Sequence, residues 1–259
     1  MARALRAAKT PCFPRGPLRA IFRDMRILPS LLLAALLLSR ASGAEPIKIG
    51  IIGLDTSHVT AFTKIINDPT AKNHVPGGKV VAAFKSSSPD IASSASRVEG
   101  YAKQMQEEFG VKLVSSIEEL CREVDCVMLE SMDGRPHLTQ ARPVLAAKKR
   151  LFIDKPLAAS VRDAVEIFRL AKEAGVPVWT SSAYRFYDSM IELKKAPVGE
   201  VRSAISYGPA HLEATHPDLF WYGVHPTEAL FTVMGTGCES VTRAHTAETD
   251  VVTLSLIHI

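Results

Sequence analysis

The sequence predicts an α/β protein built on a doubly wound parallel sheet, followed by an incomplete α+β domain. Two observations carry this prediction. Short apolar runs alternate with longer amphipathic stretches from residue 47 to about residue 180, and strands that are apolar on both faces are typical of parallel sheets between two helical layers. After residue 181 the alternation stops, and patterns typical of antiparallel strands follow.

The apolar runs predict five strands, and the amphipathic stretches between them predict five helices. The strands are expected at 47–52, 80–84, 126–129, 151–153 and 178–180, and the helices at 56–67, 94–109, 117–122, 136–148 and 160–174. The last helix has the clearest ends, because Ser160 can cap its N-terminus and Gly175 can end it. Alternation of this kind predicts right-handed βαβ units.

Residues 182–259 are predicted to begin a second domain. Helices are expected at 184–195 and 226–233, a strand at 201–207, and an antiparallel pair at 241–245 and 251–259. A chain that stops within a strand leaves a sheet edge unpaired. We therefore expect this domain to be truncated at Ile259.

Residues 1–44 are predicted to be a signal peptide with a short upstream leader. Arg26 precedes an apolar run at 27–38, and small residues follow at Ser42 and Ala44, which is the order of a charged region, an apolar region and a cleavage site. The run is shorter than the roughly 20 residues of a membrane span, so cleavage is favoured over an uncleaved anchor. We expect export to the periplasm or the exterior, with Met25 as a candidate start.

The charge of the chain gives no support to a nucleic-acid partner. The formal net charge is +4, but the excess lies in the first 26 residues and the remainder is close to neutral. A basic stripe with interleaved aromatic residues, which nucleic-acid binding needs, is not present in the sequence.

The turn after the first predicted strand is a candidate phosphate-binding turn. In dinucleotide-binding folds this turn carries three glycines, which let backbone amides approach a pyrophosphate at a helix N-terminus. Here Gly53 holds the first place, while Asp55 and His58 occupy the other two. Thr56 and Ser57 can donate hydroxyls to a phosphate, whereas the Asp55 carboxylate opposes one unless it caps the helix. A capped turn without a nucleotide is the alternative.

Lys85 and His137 are two further candidates for a nucleotide site. Lys85 follows the second predicted strand, where an acidic residue is typical of NAD sites and a cation accommodates the 2′-phosphate of NADP. Lys85 therefore favours NADP slightly over NAD, with a solvated loop as the alternative. His137 opens the helix after the strand at 126–129, where it either caps that helix or lines the nicotinamide end of a cleft.

Lys155 is the first candidate catalytic residue. It directly follows the predicted strand at 151–153, and Pro156 fixes the chain behind it. The carboxyl end of a buried strand is where an open α/β sheet presents chemistry to a ligand. Partial desolvation there makes an ammonium useful as a hydrogen-bond or proton donor.

His225 is the second candidate catalytic residue. Glu228 follows three residues later, which places both side chains on one face of a helix. A metal site at this pair would need more ligands than the pattern shows, so we predict no metal. Acid–base work suits His225 because the ordinary pKa of histidine lies near neutrality. His211 and His216 in the preceding loop are candidate substrate contacts, with ordinary surface residues as the alternative.

Together these features resemble the glucose–fructose oxidoreductase, inositol dehydrogenase and rhizopine-catabolism (Gfo/Idh/MocA) oxidoreductase family, in an exported form. The resemblance runs from about residue 47 to residue 253. It rests on the strand–turn–helix from Ile47, on Asp154-Lys155-Pro156 in place of the family's Glu-Lys-Pro, on Tyr184-Arg185-Phe186 after the sixth strand of the family's fold, and on Gly223-Val-His225-x-x-Glu228.

The resemblance implies a Rossmann domain at 45–181 that binds NADP or NAD, and a partial substrate domain at 182–259. It implies that Lys155 orients the reacting hydroxyl and the nicotinamide, and that His225 accepts the hydroxyl proton as hydride leaves. It further implies a small carbohydrate-like alcohol as substrate, contacted by Arg185 and Glu228, and a homo-oligomer formed through the C-terminal sheet.

A rival hypothesis is an exported carbohydrate-binding protein that keeps the fold but has lost its nucleotide. The altered glycine turn favours this rival. The pair of Lys155 and His225 favours the enzyme.

Overall fold

A computed structural model gives the three-dimensional structure of the chain and describes residues 45–256. The predicted signal peptide and the candidate start Met25 lie outside the described residues, as do the last three residues of the predicted final strand. Within residues 45–256, none of the helices is long and apolar enough to cross a lipid bilayer.

Six strands form one parallel sheet at the centre of the fold. They are β1 (Ile47–Ile52), β2 (Gly78–Phe84), β3 (Lys112–Val114), β4 (Cys126–Leu129), β5 (Arg150–Ile153) and β6 (Val178–Thr180). Their order across the sheet is β3-β2-β1-β4-β5-β6, so the winding reverses between β1 and β4, where α/β sheets open a ligand crevice. The predicted doubly wound parallel sheet is confirmed, with β3 as a short strand that the pattern did not predict.

Helices connect these strands and continue beyond them. They are α1 (His58–Asn67), α2 (Ala92–Ala95), α3 (Val98–Glu107), α4 (Ile117–Glu123), α5 (His137–Ala146), α6 (Val161–Ala174), α7 (Asp188–Lys195) and α8 (Val224–Met234), with short 3₁₀ helices at Ala183–Phe186 and Asp218–Phe220. The predicted ends of α6 are confirmed: Ser160 Oγ accepts from the Asp163 amide at 3.0 Å, and Gly175 adopts a φ of 69°. The helix predicted at 94–109 forms as two helices, α2 and α3.

Two hydrophobic clusters lie on opposite faces of the sheet. Ile51 and Ile52 are both fully buried, and they belong to different clusters because successive strand side chains point to opposite faces. Ile52 packs with Leu151 and Ile153, whereas Ile51 packs with Val80. Burial on both faces explains why the second half of β1, residues 49–52, carries no polar side chain.

The segment after β6 departs from the predicted pattern in two places. The helix predicted at 184–195 forms as the 3₁₀ helix Ala183–Phe186 followed by α7 (Asp188–Lys195). Residues 201–207, predicted as a strand, lie outside any strand or helix, and Ile205 and Tyr207 are 94% and 91% exposed. Strands are stabilised by hydrogen bonds to a neighbour, and no strand within residues 45–256 pairs with this segment. The predicted antiparallel pair is confirmed as β7 (Cys238–His245) and β8 (Asp250–Leu256).

Candidate active site

Three loops bring polar side chains together at the carboxyl edge of the sheet. Glu130 directly follows β4, and Asp154 directly follows β5. The loop after β1 leads to His58 at the start of α1. The Glu130 amide donates to the Ile52 carbonyl at 2.7 Å, and the Asp154 amide donates to the Leu129 carbonyl at 2.9 Å. The three loops therefore leave the sheet side by side.

A cleft of about 1010 Å³ opens beside these loops. Three of the predicted site residues line it, namely His58, Lys155 and His225. Aromatic side chains form much of the remaining wall, among them Phe152, Trp179, Tyr184 and Tyr222. A largely apolar wall with a few converging polar groups is typical of small-molecule sites.

Asp154 holds two of the cleft residues in place. Its side chain is nearly buried, and Oδ2 lies 2.8 Å from His58 Nδ1 and 3.8 Å from Lys155 Nζ. The Lys155 side chain is 17% exposed, which leaves its ammonium accessible from the cleft. In the sequence Asp154 belongs to the Asp-Lys-Pro motif, and its position between a histidine and a lysine was not predicted.

His225 is positioned by a hydrogen bond and by two aromatic rings. Its Nδ1 lies 2.7 Å from Ser182 Oγ. The imidazole stacks on Tyr184 with ring centroids 5.1 Å apart and meets Tyr222 edge-on at 4.8 Å. Burial, together with the nearby Lys155 cation, holds the pKa of His225 below its ordinary value. His225 is therefore an uncharged imidazole near neutral pH.

Glu130 is a buried acid that the sequence analysis missed. It is fully buried, and neither carboxylate oxygen has a hydrogen-bond partner within residues 45–256. Burial, and then the charge of Asp154, raise the pKa of Glu130 well above its ordinary value. A signal was available, because an acid that directly follows a buried parallel strand stands at the edge where such sheets bind ligands.

The glycine turn is arranged differently from the prediction. Asp55 neither caps α1 nor faces outward: it is fully buried, and its carboxylate accepts from Ser94 Oγ at 2.6 Å and from the Met132 amide at 3.1 Å. Burial raises the pKa of Asp55, although the bond from Ser94 opposes this. Asp55 therefore ties together the loops that follow β1, β2 and β4.

Two serines extend these ties into a network. The Ser88 amide donates to Ser94 Oγ at 2.8 Å, and Ser88 Oγ donates to the carboxylate of Asp133. We call Asp55, Ser88, Ser94 and Asp133 the crevice network. It links the loops after β2 and β4 across the point where the winding of the sheet reverses.

The remaining residues of the glycine turn have separate environments. Gly53 has a φ of 87°, and a Cβ there would lie 2.4 Å from the Ser131 amide nitrogen, so a side chain is excluded by the loop after β4. Thr56 is buried, and its Oγ1 lies 3.4 Å from the His58 amide. Ser57 is exposed at the start of α1, without a side-chain capping bond.

Lys85, His137 and Pro156 do not line the cleft. Lys85 Nζ donates to Glu99 Oε1 at 2.9 Å in an exposed ion pair. His137 does not cap its helix: the fully buried ring lies 3.1 Å from the Leu157 carbonyl and 2.8 Å from the Ser131 carbonyl. His137 does not cap α5 because both nitrogens of its imidazole face these two buried carbonyls. Pro156 is buried and follows a cis peptide bond.

The predicted substrate contacts also lie outside the cleft lining. Arg185 Nε donates to Glu228 Oε1 at 2.6 Å, and Glu228 Oε2 accepts from the Ser182 amide at 2.7 Å. Glu228 thereby braces the loop that positions His225. His211 is exposed and meets the ring of Tyr222 edge-on. His216 is buried, and its Nε2 accepts from the Gly134 amide at 3.3 Å.

The sequence profile of an oxidoreductase family with an NAD-binding Rossmann fold, Gfo/Idh/MocA, matches residues 47–182. The chain belongs to this family. Membership confirms the predicted family and the predicted Rossmann fold, and it agrees with the order of strands in the sheet.

Two curated proteins are similar to this Gfo/Idh/MocA chain over part of their length. The D-xylose 1-dehydrogenase (NADP(+)) 2 of Haloferax volcanii is 28% identical over 171 residues, which cover 64% of this chain and 51% of that protein. The 2,7-anhydro-N-acetylneuraminate hydratase of Escherichia coli is 27% identical over 106 residues, which cover 33% of this chain and 28% of that protein. The chain thus spans about half the length of these relatives, or less.

Solved structures share the fold. A dehydrogenase from Clostridium difficile aligns with a TM-score of 0.58 and 18% identity, covering 82% of this chain and 67% of that one. An NAD-binding protein from Listeria innocua aligns with a TM-score of 0.58 and 16% identity, covering 81% of this chain and 64% of that one.

Proposed function

We propose that this chain is an NAD(P)-dependent oxidoreductase that transfers a hydride between the cofactor and a carbohydrate-like alcohol. The observation that carries the proposal is the placement of Lys155 and His225 on one cleft, at the carboxyl edge of a sheet that belongs to an NAD-binding family. The curated relative from Haloferax volcanii is named as a sugar dehydrogenase that uses NADP, which supports the substrate class.

His225 accepts the proton of the reacting hydroxyl in this proposal. Its pKa is held low, so the ring is uncharged and basic near neutral pH. Because Nδ1 faces Ser182 Oγ at 2.7 Å, the ring can donate its N–H there and present Nε2 to the substrate. Lys155 holds the substrate oxygen, since an ammonium that keeps one partner can still donate to a second.

The turn after β1 fits a pyrophosphate in one respect. Both oxygens of Asp55 are engaged by donors inside the protein, so its charge is not presented to a phosphate. Ser57 would hold the phosphate at the N-terminus of α1, where backbone amides are unsatisfied, and Lys85 would hold the 2′-phosphate of NADP. When bound, the nicotinamide supplies the hydride acceptor.

The aromatic wall of the cleft suits a carbohydrate. Sugar rings carry apolar C–H faces and a rim of hydroxyls, so they bind where flat apolar side chains lie beside a few hydrogen-bonding groups. Tyr184, Tyr222 and Trp179 provide the flat surfaces, and Lys155 and His225 provide the polar groups.

A second candidate is a carbohydrate-binding protein that does not use a nucleotide. The crevice network favours it, because Ser88 in the loop after β2 donates directly to Asp133 in the loop after β4. Those loops flank the point where a dinucleotide enters open α/β sheets. In this second candidate a carbohydrate binds in the cleft against the aromatic wall, and no nucleotide binds at the crevice.

Titration of the full chain with NADP and with NAD separates the two candidates. The oxidoreductase predicts saturable quenching of Trp179 fluorescence, with NADP bound more tightly than NAD. Lys85→Met, which removes the cation without adding an acid, should weaken NADP about tenfold and leave NAD unchanged, because only NADP carries the 2′-phosphate. Absence of binding of both nucleotides at millimolar concentration would leave the carbohydrate-binding protein as the function.

Export and assembly are further parts of the proposal. The charged, apolar and small-residue regions of residues 1–44 support export with cleavage before Glu45, which N-terminal sequencing of the exported protein checks.

The exposed hairpin of β7 and β8, with Val241 and Val251 at its surface, supports a homo-oligomer. Light scattering should then give a mass above that of one chain.

A further inference from the structure

His58, Glu130 and Asp154 form a compact cluster at the base of the cleft. One ligand atom from each residue lies within 4.8 Å of the other two. His58 and Asp154 line the cleft, while Glu130 lies behind them and is fully buried. The three come from the loops after β1, β4 and β5, which leave adjacent strands of the sheet.

Glu130 is available to bind a ligand. Both of its carboxylate oxygens are buried without a hydrogen-bond partner within residues 45–256, and a buried polar group without a partner costs free energy. His58 does not relieve this, since its Nδ1 is directed at Asp154 Oδ2. Lys155 Nζ also faces Asp154 Oδ2, at 3.8 Å.

The charges of the cluster leave room for a cation. Two acids, Glu130 and Asp154, lie beside one lysine: Asp154 Oδ2 is 3.8 Å from Lys155 Nζ, and Glu130 has no hydrogen-bond partner within residues 45–256. Buried carboxylates persist when they are paired, protonated or bound to a metal. The Asp55 carboxylate accepts hydrogen bonds from its own donors and is not counted among the acids of this cluster.

We propose that His58, Glu130 and Asp154 bind one divalent transition-metal ion, of the class of Zn²⁺ and Mn²⁺. One imidazole nitrogen and two carboxylates suit metals that accept mixed nitrogen and oxygen ligands. Ligand bonds of about 2.0–2.2 Å bring neighbouring ligand atoms to roughly 3 Å from one another. His58 Nδ1 and Asp154 Oδ2 are already 2.8 Å apart.

Such an ion would have positions left for a ligand from the cleft. Three protein ligands with an open position are typical of catalytic sites, whereas structural sites are closed by four. His58 and Asp154 both line the cleft, so a molecule in the cleft could reach such an ion. Hydroxyl or carboxylate oxygens of a sugar derivative are the ligands that this position would take. The metal site does not depend on nucleotide binding.

Isothermal titration of the chelator-treated full chain with Zn²⁺, and Mn²⁺ titration followed by electron paramagnetic resonance, test the site without any nucleotide. We expect one ion per chain. Glu130→Gln and His58→Ala should each weaken binding about tenfold or more, since even changes outside the ligand shell cost 10–100-fold. Glu118→Gln, the same change at an exposed position of α4, should leave the affinity unchanged.

Two results would overturn the proposal. One is the absence of saturable binding of Zn²⁺ and Mn²⁺ to the wild-type chain at millimolar concentration, which would mean that a proton neutralises Glu130. The other is binding that survives both substitutions unchanged. His58→Ala removes a partly exposed side chain, so it tests the site even where Glu130→Gln alters folding. Failure of nucleotide binding with intact metal binding would remove the oxidoreductase and keep the metal site.

Discussion

Two buried acids at the same edge of the sheet have opposite surroundings. Asp55 accepts from Ser94 Oγ and from the Met132 amide, whereas Glu130 has no hydrogen-bond partner within residues 45–256. Both are fully buried, so burial does not distinguish them. A buried acid whose donors come from two other loops holds the three loops together, while a buried acid without donors is available for a ligand.

The same contrast separates the crevice network from the cleft. In the crevice network each polar side chain is bonded to a neighbouring loop. In the cleft, Lys155 and His225 face a volume of about 1010 Å³. Substitutions in the crevice network should therefore change the stability of the fold. Substitutions of Lys155 and His225 in the cleft should change substrate binding and turnover.

The largest expected effect is at Lys155. Lys155→Met keeps most of the side-chain volume and removes the ammonium, so turnover of a sugar or polyol substrate should fall by about 10²–10⁴-fold. Nucleotide affinity should change little, because the proposed phosphate contacts are Ser57 and Lys85. Steady-state kinetics and nucleotide titration of the same preparation check both halves. Unchanged turnover would remove Lys155 from the mechanism.

His225 should set the pH dependence of turnover. The pKa of His225 is lowered by burial and by Lys155, so the ring is basic near neutrality and turnover should drop only as pH falls through that lowered pKa. His225→Asn should reduce turnover by about 10²-fold or more and remove this acid limb. A limb that persists in His225→Asn would assign it to another group.

Stability sharpens the comparison between the two acids. Asp55→Ala leaves the Ser94 hydroxyl and the Met132 amide without an acceptor, which should lower the free energy of unfolding by about 1–3 kcal/mol. Glu130→Gln in the presence of chelator keeps the size of a buried side chain that has no hydrogen-bond partner within residues 45–256, so it breaks no bond and should not lower the free energy of unfolding. Urea denaturation measures both. Equal destabilisation by the two changes would show that the hydrogen bonds of Asp55 do not distinguish it from Glu130.

The smallest expected effect is at the outer end of the crevice. Glu99→Gln releases Lys85 from an exposed ion pair, and such pairs are weak. NADP should then bind more tightly by about fivefold at most, with NAD unaffected. Fluorescence titration checks the difference between the two nucleotides. An equal gain for both would exclude Lys85 as the contact to the 2′-phosphate.

The sequence predicted most of the sheet and the convergence of Lys155 and His225 on one cleft. Apolar runs and helix signals are local, and the carboxyl edge of a parallel sheet follows from them. The inward turn of Asp55 depends on Ser94 and Met132, which lie far away in the chain, so the turn motif did not reveal it. The strand expected at 201–207 also failed for a nonlocal reason, because its formation requires a partner strand.

A double-substitution cycle tests most directly whether Lys155 and His225 act on one substrate. Turnover is measured for the wild type, Lys155→Met, His225→Asn and the variant with both changes. Residues that act as a unit lose little more together than the worse one loses alone, so the double variant should turn over about as fast as the slower single variant. Losses that multiply would show that the ammonium and the imidazole work independently and do not act on one substrate together.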